Sequence, residues 1–116
     1  MANVTKAVKL FLEAKATLGK TTTYEEIALA LGLPSSGNAL GATLSPILGE
    51  IFHACEAERV PRLTSIVVRK SGQDKGLPGK GFWYLLQAHG ESELSRAVKR
   101  ELTAGFQQAV FDHYAA

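Results

Sequence analysis

A short helix with both ends marked is encoded by 21-TTTYEEIALALGLP-34. Thr23 followed by Glu26 is a capping box: the hydroxyl accepts from a free backbone N–H of the first turn, and the carboxylate reaches back to the cap. The apolar positions share one helical face: Tyr24, Ile27, Ala28 and Leu31. Gly32 ends the helix and Pro34 prevents its early resumption. We therefore predict that this segment is the first helix of a helix-turn-helix.

Two further helices are predicted directly after it. Residues 37–44 have the apolar spacing of a short helix. Ser45 and Pro46 then form a restart signal, because serine caps helices and proline is favoured at the first helical position. We therefore expect a separate helix to run from Pro46 to about Arg59.

Helices are also predicted at both ends of the chain. Apolar residues recur at helical spacing from Val4 to Leu18. Near the C-terminus, an apolar residue at every fourth position predicts a long helix that Ser92 caps and that ends near Tyr114. This helix is long for a chain of 116 residues. Its apolar stripe should either pack across the domain or pair with a second copy as a homodimer.

A β-hairpin is predicted between the central helices and the last helix. Leu63 to Arg69 is rich in β-branched residues, and Phe82 to Gln87 is its predicted partner strand. In that partner strand, Phe82 and Tyr84 would share one face and Trp83 would take the other. A P-loop is not expected for the connection 70-KSGQDKGLPGKG-81, because Gly76 and Gly81 do not form the motif G-x-x-x-x-G-K-[ST] and a strand rather than a helix is expected after them. The connection is either a phosphate-contacting wing or a solvated hairpin tip.

The order of these elements predicts the fold class. Helices followed by a basic hairpin and a last helix are typical of a winged helix-turn-helix. We expect one mainly α domain with a small β-hairpin (α+β) over residues 1–116. Its wing would span about residues 63–87 and its C-terminal helix about residues 92–114.

Composition limits the class of protein. The hydrophobic share of 46% and charged share of 21% are ordinary for a globular domain. No run of eighteen apolar residues is present, and the N-terminus lacks the features of a signal peptide. The single Cys55 excludes an intrachain disulfide framework. We therefore expect a cytoplasmic protein that does not bind membranes.

Positive charge is concentrated in the middle of the chain. The segment from Arg59 to Lys80 has a net charge of +5, although the whole chain has only +2. Its basic residues are Arg59, Arg62, Arg69, Lys70, Lys75 and Lys80, and its acidic residue is Asp74. A local basic patch of this kind is typical of a nucleic-acid contact surface.

The predicted DNA-facing residues follow from these two features. The second helix of a helix-turn-helix enters the major groove, where asparagine can bond adenine and hydroxyls can contact bases or phosphate. The loop cations would contact backbone phosphates. The predicted set is Tyr24, Ser35, Ser36, Asn38, Thr43, Arg62, Arg69, Lys70, Lys75 and Lys80.

Catalytic and metal sites are not expected. His53 and Cys55 lie two residues apart on a predicted helix, so their side chains cannot face each other. Cys55 falls on the apolar face, where a buried and inert thiol is usual. The histidines show no metal-ligand spacing. We therefore predict a non-enzymatic protein without a metal or cofactor.

One segment resembles a known family. The stretch 20-KTTTYEEIALALGLPSSGNALGATLSP-46 is similar to the winged-helix DNA-binding domain of the alkylguanine-DNA alkyltransferases and their alkyltransferase-like relatives. The matching motifs are 23-TYEEIA-28 and 39-ALGATL-44, and the resemblance covers about a quarter of the chain.

The resemblance has specific implications for single residues. It makes Tyr24 the counterpart of the tyrosine that acts on the DNA backbone. It puts Asn38 at the position of the arginine that enters the base stack. A neutral asparagine is a poor substitute for an intercalating arginine. The family's reactive Pro-Cys-His-Arg-Val is absent. The resemblance therefore implies the fold and a DNA-facing surface without alkyl transfer.

Two functions remain open at this point. The leading hypothesis is a small DNA-binding protein with a regulatory or accessory role in DNA transactions, such as transcription regulation. The alternative is a winged-helix protein-interaction module, an adaptor or an inhibitor of a nucleic-acid-processing complex. The basic middle segment favours DNA, whereas the absence of Arg and Lys from residues 35–44 favours a protein partner.

Overall fold

The computed structural model describes residues 3–34, 37–86 and 94–115, and within these ranges the chain is mainly helical. The helices are α1 (Asn3–Thr17), α2 (Tyr24–Leu31), α3 (Gly37–Glu58), α4 (Lys80–Leu86) and α5 (Arg96–Tyr114). A 3₁₀ turn covers Leu63–Ile66 between α3 and α4. None of the described helices is long and apolar enough to cross a membrane.

The predicted first helix is confirmed, although its buried face is rotated. Its buried residues are Thr5, Val8, Leu12 and Ala16. Val4 and Leu18, which the apolar spacing assigned to the buried stripe, are 38% and 66% exposed. Gly19 adopts a φ of +67° directly after the helix, a conformation that side chains with a Cβ rarely adopt. The α1 helix therefore ends where the sequence predicts.

Helix α2 has half of the predicted capping box. The Thr23 hydroxyl accepts a hydrogen bond from the backbone N–H of Glu26 at 3.2 Å, as predicted. The Glu26 carboxylate, however, accepts from the Thr22 hydroxyl and from Lys15 Nζ instead of the cap. These two hydrogen bonds, the one from Thr22 first, hold the pKa of Glu26 below its usual value. Glu26 thus joins the start of α2 to the end of α1.

The two helices predicted at residues 37–44 and from Pro46 onward form one helix, so the restart at Ser45 is wrong. Helix α3 runs from Gly37 to Glu58 with Pro46 inside it. Proline removes one helical hydrogen bond, which leaves the carbonyl of Ala42 without its N–H partner. Ala42 and Pro46 are both exposed, so water can solvate that carbonyl. The free-energy cost of the proline is offset by apolar residues that are buried on both sides of it. These residues are Leu44, Ile47, Leu48, Ile51, Phe52 and Cys55.

The two predicted strands are also wrong. Leu63–Ile66 forms a 3₁₀ turn, and every residue from 63 to 68 is buried, so the segment has no solvated strand face. Lys80–Leu86 is a helix, and Gln87 lies outside the described residues. Phe82 and Trp83 are both buried while Tyr84 is 75% exposed, a pattern that a strand with alternating faces cannot produce. The predicted hairpin over residues 63–87 is therefore absent from its described part.

Among the described residues, the extended segments are connected by isolated bridges. Thr22 pairs with Val67 in parallel, and Val68 pairs with Pro78 in antiparallel orientation. The Thr22 N–H donates to the Ile66 carbonyl at 2.8 Å, and the Val68 N–H donates to the Thr22 carbonyl at 2.8 Å. These contacts attach the entry of α2 to the segment that follows the 3₁₀ turn.

Helix α5 begins later than predicted and packs across the domain. Ser95 is its cap, since its hydroxyl accepts from the Val98 N–H at 3.2 Å. The predicted cap Ser92 lies outside the described residues. The helix contacts the 3₁₀ turn and α1, and it buries Thr103 and Val110. At least part of its stripe therefore serves the domain's own core.

The core has two parts. The larger part packs α1, α3 and the 3₁₀ turn around Leu12, Ile51, Leu63 and Val110. The smaller part is aromatic and joins α3, α4 and α5 through Phe52, Phe82, Trp83 and Phe106. Phe82 makes edge-to-face contacts with Phe52 and Trp83, with ring centroids 5.7 and 5.2 Å apart. This aromatic core holds α4 and the preceding loop against α3.

Candidate functional site

Two adjoining pockets meet at Tyr24. We call them together the Tyr24 cleft. Both pockets share Tyr24, Ser45, Gly79 and Gly81. One has a volume of about 230 Å³ and apolar walls, whereas the other, of about 380 Å³, has basic residues on its wall. The cleft is therefore divided chemically into an apolar half and a charged half.

Local structure places Tyr24 at this junction. It is the first residue of α2, directly after the Thr23 cap, and the Thr22–Val67 bridge attaches this point to the segment beyond the 3₁₀ turn. A Cβ at position 79 would lie 3.8 Å from the Tyr24 hydroxyl, so the backbone of Gly79 passes close to the ring. The tyrosine is half-buried, which leaves part of it in the cleft.

The charged half of the cleft carries three exposed cations. Arg69, Lys70 and Lys80 line it. Glu25 lies opposite, with its carboxylate 3.8 Å from Lys70 Nζ. An exposed pair at this distance is weak, so it leaves the ammonium available for another anion. Three cations around one concavity, against one carboxylate, can hold an anionic group.

The apolar half of the cleft is built mainly by the aromatic core. Its wall contains Leu48, Phe52, Val67, Phe82, Tyr84 and Leu85. Thr64 also lines it, and the buried Thr64 hydroxyl has no hydrogen-bond partner among the described residues. Tyr84 is 75% exposed at this position. The pocket can take an apolar or aromatic group that offers one hydrogen bond.

The segment Lys70–Gly81, called the basic loop below, is held in one conformation. The Arg69 N–H donates to the Leu77 carbonyl at 2.9 Å, and the Gly76 N–H donates to the Arg69 carbonyl at 3.0 Å. The buried Trp83 indole donates to the Pro78 carbonyl at 3.0 Å. Gly76 has a φ of +84°, which favours glycine at this turn. The loop is thus structured although it contains no regular element before Lys80, where α4 begins.

Helix α5 supplies two contacts to the basic loop that sequence reasoning missed. Arg96 and Arg100 bond to residues 73–75 of the loop. Their presence in the first two turns of a helix is a signal that could have identified them. Cations there lie near the positive end of the helix dipole, so they need compensation from another partner.

The structure brings together four of the predicted site residues. Tyr24, Arg69, Lys70 and Lys80 line the cleft. Asn38 is exposed in the first turn of α3 and Thr43 is half-buried further along it, and neither lines the two pockets. The predicted contacts Ser35 and Ser36 lie outside the described residues.

Two predicted cations lie elsewhere. Arg62 Nε is 2.9 Å from a carboxylate oxygen of Glu56, and its guanidinium lies over the Phe106 ring at 5.1 Å. Its charge therefore joins the end of α3 to α5. Lys75 is exposed on the basic loop, and the backbone carbonyl of that residue accepts a hydrogen bond from Arg100. Arg62 is thus a packing contact, whereas the Lys75 side chain is exposed on the loop surface.

Cys55 is buried in the main core, as the apolar face of α3 predicted. It is 1% exposed, and burial raises the pKa of its thiol. A high pKa disfavours the thiolate, which is the nucleophilic form. Among the described residues, no group of three or more His, Cys, Asp or Glu side chains comes together.

Comparisons with protein-family models, with curated proteins and with solved structures find no match to this chain.

Proposed function

We propose that this protein binds duplex DNA non-enzymatically, through the charged half of the Tyr24 cleft and the basic loop. The proposal rests mainly on one observation. The neighbouring Arg69 and Lys70, and Lys80 ten residues further on, line one open concavity beside Tyr24. Clustered cations on one surface are the electrostatic feature that the DNA backbone recognises.

Each part of the cleft has a role in this proposal. The three cations hold successive phosphates, with Lys75 extending the contact along the loop. The Tyr24 hydroxyl donates to a phosphate oxygen, since hydroxyl side chains commonly position DNA in this way. The glycines at positions 79 and 81 add no side chain to the wall they form, so the duplex backbone can approach closely. Exposed Asn38 on α3 is proposed to contact a base edge, and Thr43 lies further along the same helix.

Salt dependence tests the proposal directly. With four cations, Arg69, Lys70, Lys75 and Lys80, each contacting one phosphate, the logarithm of the binding constant should fall with the logarithm of salt concentration at a slope of roughly −3.5. Fluorescence anisotropy with a labelled duplex, measured across a salt series, gives this slope. The Arg69→Gln/Lys80→Gln variant removes two contacts, so the slope should become shallower by about 2.

The matched control is Lys6→Gln/Lys9→Gln. It removes the same charge from α1, and neither lysine lines the cleft. We expect this control to bind nearly as the parent does. An absence of binding at low salt, or equal effects of the two double variants, would contradict the proposed surface.

A protein partner is the second candidate function, and the apolar half of the cleft favours it. Exposed tyrosines next to apolar pockets are typical anchor points of protein interfaces. In this case Tyr84 and Leu85 would carry the contact rather than the cations. Tyr84→Ala should then weaken partner binding, while Arg69→Gln/Lys80→Gln should have little effect and binding should be nearly independent of salt. The same salt series therefore separates the two functions.

A further inference from the structure

Two arginines of α5 hold the middle of the basic loop. Arg100 donates through one guanidinium nitrogen to the Gln73 carbonyl at 2.9 Å and through the other to the Lys75 carbonyl at 3.3 Å. Arg96 donates to the Asp74 carboxylate at 2.8 Å and to the Gln73 side-chain carbonyl at 3.0 Å. The hydrogen bond from Arg96 holds the pKa of Asp74 below its usual value. Three consecutive loop residues are thus bonded by one helix.

The position of these arginines is electrostatically unfavourable for α5 itself. The first turn of the helix contains no acidic residue, and Arg96, Lys99 and Arg100 all lie within its first two turns. Cations at this end oppose the helix dipole. Their charge is offset by the loop: Arg100 takes two backbone carbonyls, and Arg96 takes a carboxylate. The charges of both arginines are therefore directed to the loop rather than to partners on α5.

We infer that Arg96 and Arg100 are positioning residues for DNA binding, which hold the basic loop in its binding conformation without contacting DNA. This inference rests on the proposed function. A loop that must be ordered on association loses part of its interaction free energy to lost conformational freedom, whereas a loop that is already ordered does not. Bonding of residues 73–75 fixes the stretch between Arg69 and Lys80, which are the first and last of the proposed phosphate-contacting cations.

Arginine suits this role better than lysine. Its planar guanidinium bonds two carbonyl oxygens at once, whereas an ammonium on a flexible stem holds one geometry less well. Arg100→Lys should therefore keep the positive charge but hold the basic loop in position less well. That distinction separates loop geometry from simple attraction between α5 and the DNA.

The test compares Arg100→Gln with Lys99→Gln. Both remove one positive charge from the same turn, but Lys99 lies over the Trp83 ring at 5.5 Å rather than bonding the loop. We expect Arg100→Gln to raise the Kd for duplex DNA about tenfold, Arg100→Lys to raise it less, and Lys99→Gln to leave it nearly unchanged. Hydrogen exchange at the amides of Arg69, Gly76 and Leu77 should accelerate in Arg100→Gln only.

A double-mutant cycle with Lys75→Gln tests how Arg100 acts. If Arg100 positions the loop, its substitution should cost less in the Lys75→Gln background, because one of the groups it positions is gone. Additive effects would mean that Arg100 contacts phosphate itself, which would overturn the inference. So would an unchanged exchange rate in Arg100→Gln. If Arg69→Gln/Lys80→Gln also leaves DNA affinity unchanged, the proposed function fails, and the exchange rates still report whether the arginines order the loop.

Discussion

Trp83 is the residue at which the basic loop meets the aromatic core. Its ring is 4% exposed, and its indole N–H donates to the Pro78 carbonyl inside the protein. Lys99 Nζ of α5 lies over the Trp83 ring, 5.5 Å from the ring centroid. One side chain thus links the loop, α4 and α5, which makes it the sharpest local test of the fold around the cleft.

Trp83→Phe should destabilise the protein by about 1–3 kcal/mol, because the buried Pro78 carbonyl would lose the indole donor and the smaller ring would leave a gap in the aromatic core. Urea unfolding followed by circular dichroism measures the change in the free energy of unfolding. Tyr84→Phe is the control, since Tyr84 is the adjacent and 75% exposed aromatic residue of α4. It should change stability by less than about 0.5 kcal/mol. Equal stability of Trp83→Phe and the parent would contradict the role of this hydrogen bond.

At the scale of the element, α3 shows how packing overrides a local signal. Ser45 and Pro46 favour a new helix at this point, and the chain nevertheless continues as one helix from Gly37 to Glu58. The apolar residues on both sides of the proline share one buried face. Separate helices would turn part of that face away from the core, so burial decides against the local preference.

Pro46→Ala should stabilise the protein by about 1–3 kcal/mol, because it restores the N–H that bonds the Ala42 carbonyl and removes the steric conflict of proline in a helix. Part of the gain is cancelled, since the unfolded chain becomes more flexible. Thermal unfolding followed by circular dichroism gives the change. Ser45→Ala, at the preceding exposed position of the same helix, controls for helix propensity alone and should gain less than about 0.5 kcal/mol. A loss of stability in Pro46→Ala would mean that the proline fits α3 without cost.

At the scale of the whole molecule, Tyr114 joins the two ends of the chain. It lies near the end of α5 and packs against the main core, close to Glu13 of α1 and Cys55 of α3. Burial, followed by the nearby Glu13 carboxylate, raises the pKa of Tyr114 to about 12. Its neutral form is therefore favoured in the folded protein relative to the unfolded chain, where tyrosine titrates near pH 10.

The sign of the resulting pH dependence is fixed by that difference. The contribution of Tyr114 to the free energy of unfolding is fully present below about pH 10. It is lost as the pH rises towards about 12, because the tyrosine of the unfolded chain releases its proton first. Urea unfolding at increasing alkaline pH should show this decline. In Tyr114→Phe the decline should be shallower, whereas Tyr84→Phe serves as the control with an exposed tyrosine. Identical alkaline profiles for Tyr114→Phe and the parent would exclude this coupling.

The sequence predicted the elements whose signals lie within a few residues. The Thr23 cap, the αL glycine that ends α2, the span of α1 and the buried Cys55 all depend on short-range patterns, and each agrees with the structure. The cations of the cleft were likewise recognisable as a local excess of positive charge. What their spacing could not show was that Tyr24, Arg69 and Lys80 share one concavity.

Tertiary packing alone decided the remaining features. The segments at 63–69 and 82–86 have strand-like composition, but residues 63–66 form a 3₁₀ turn, residues 67–69 make only isolated bridges, and residues 82–86 lie in α4, where Phe82 and Trp83 are both buried in the aromatic core. Arg96 and Arg100 meet the basic loop from more than twenty residues away. The sequence by itself determined the Thr23 cap of α2 and the glycine that ends it, because those preferences are local and packing does not oppose them there. Burial and long-range hydrogen bonds decided which segments stay helical and which cations line the cleft, because both depend on neighbours that are distant in the chain.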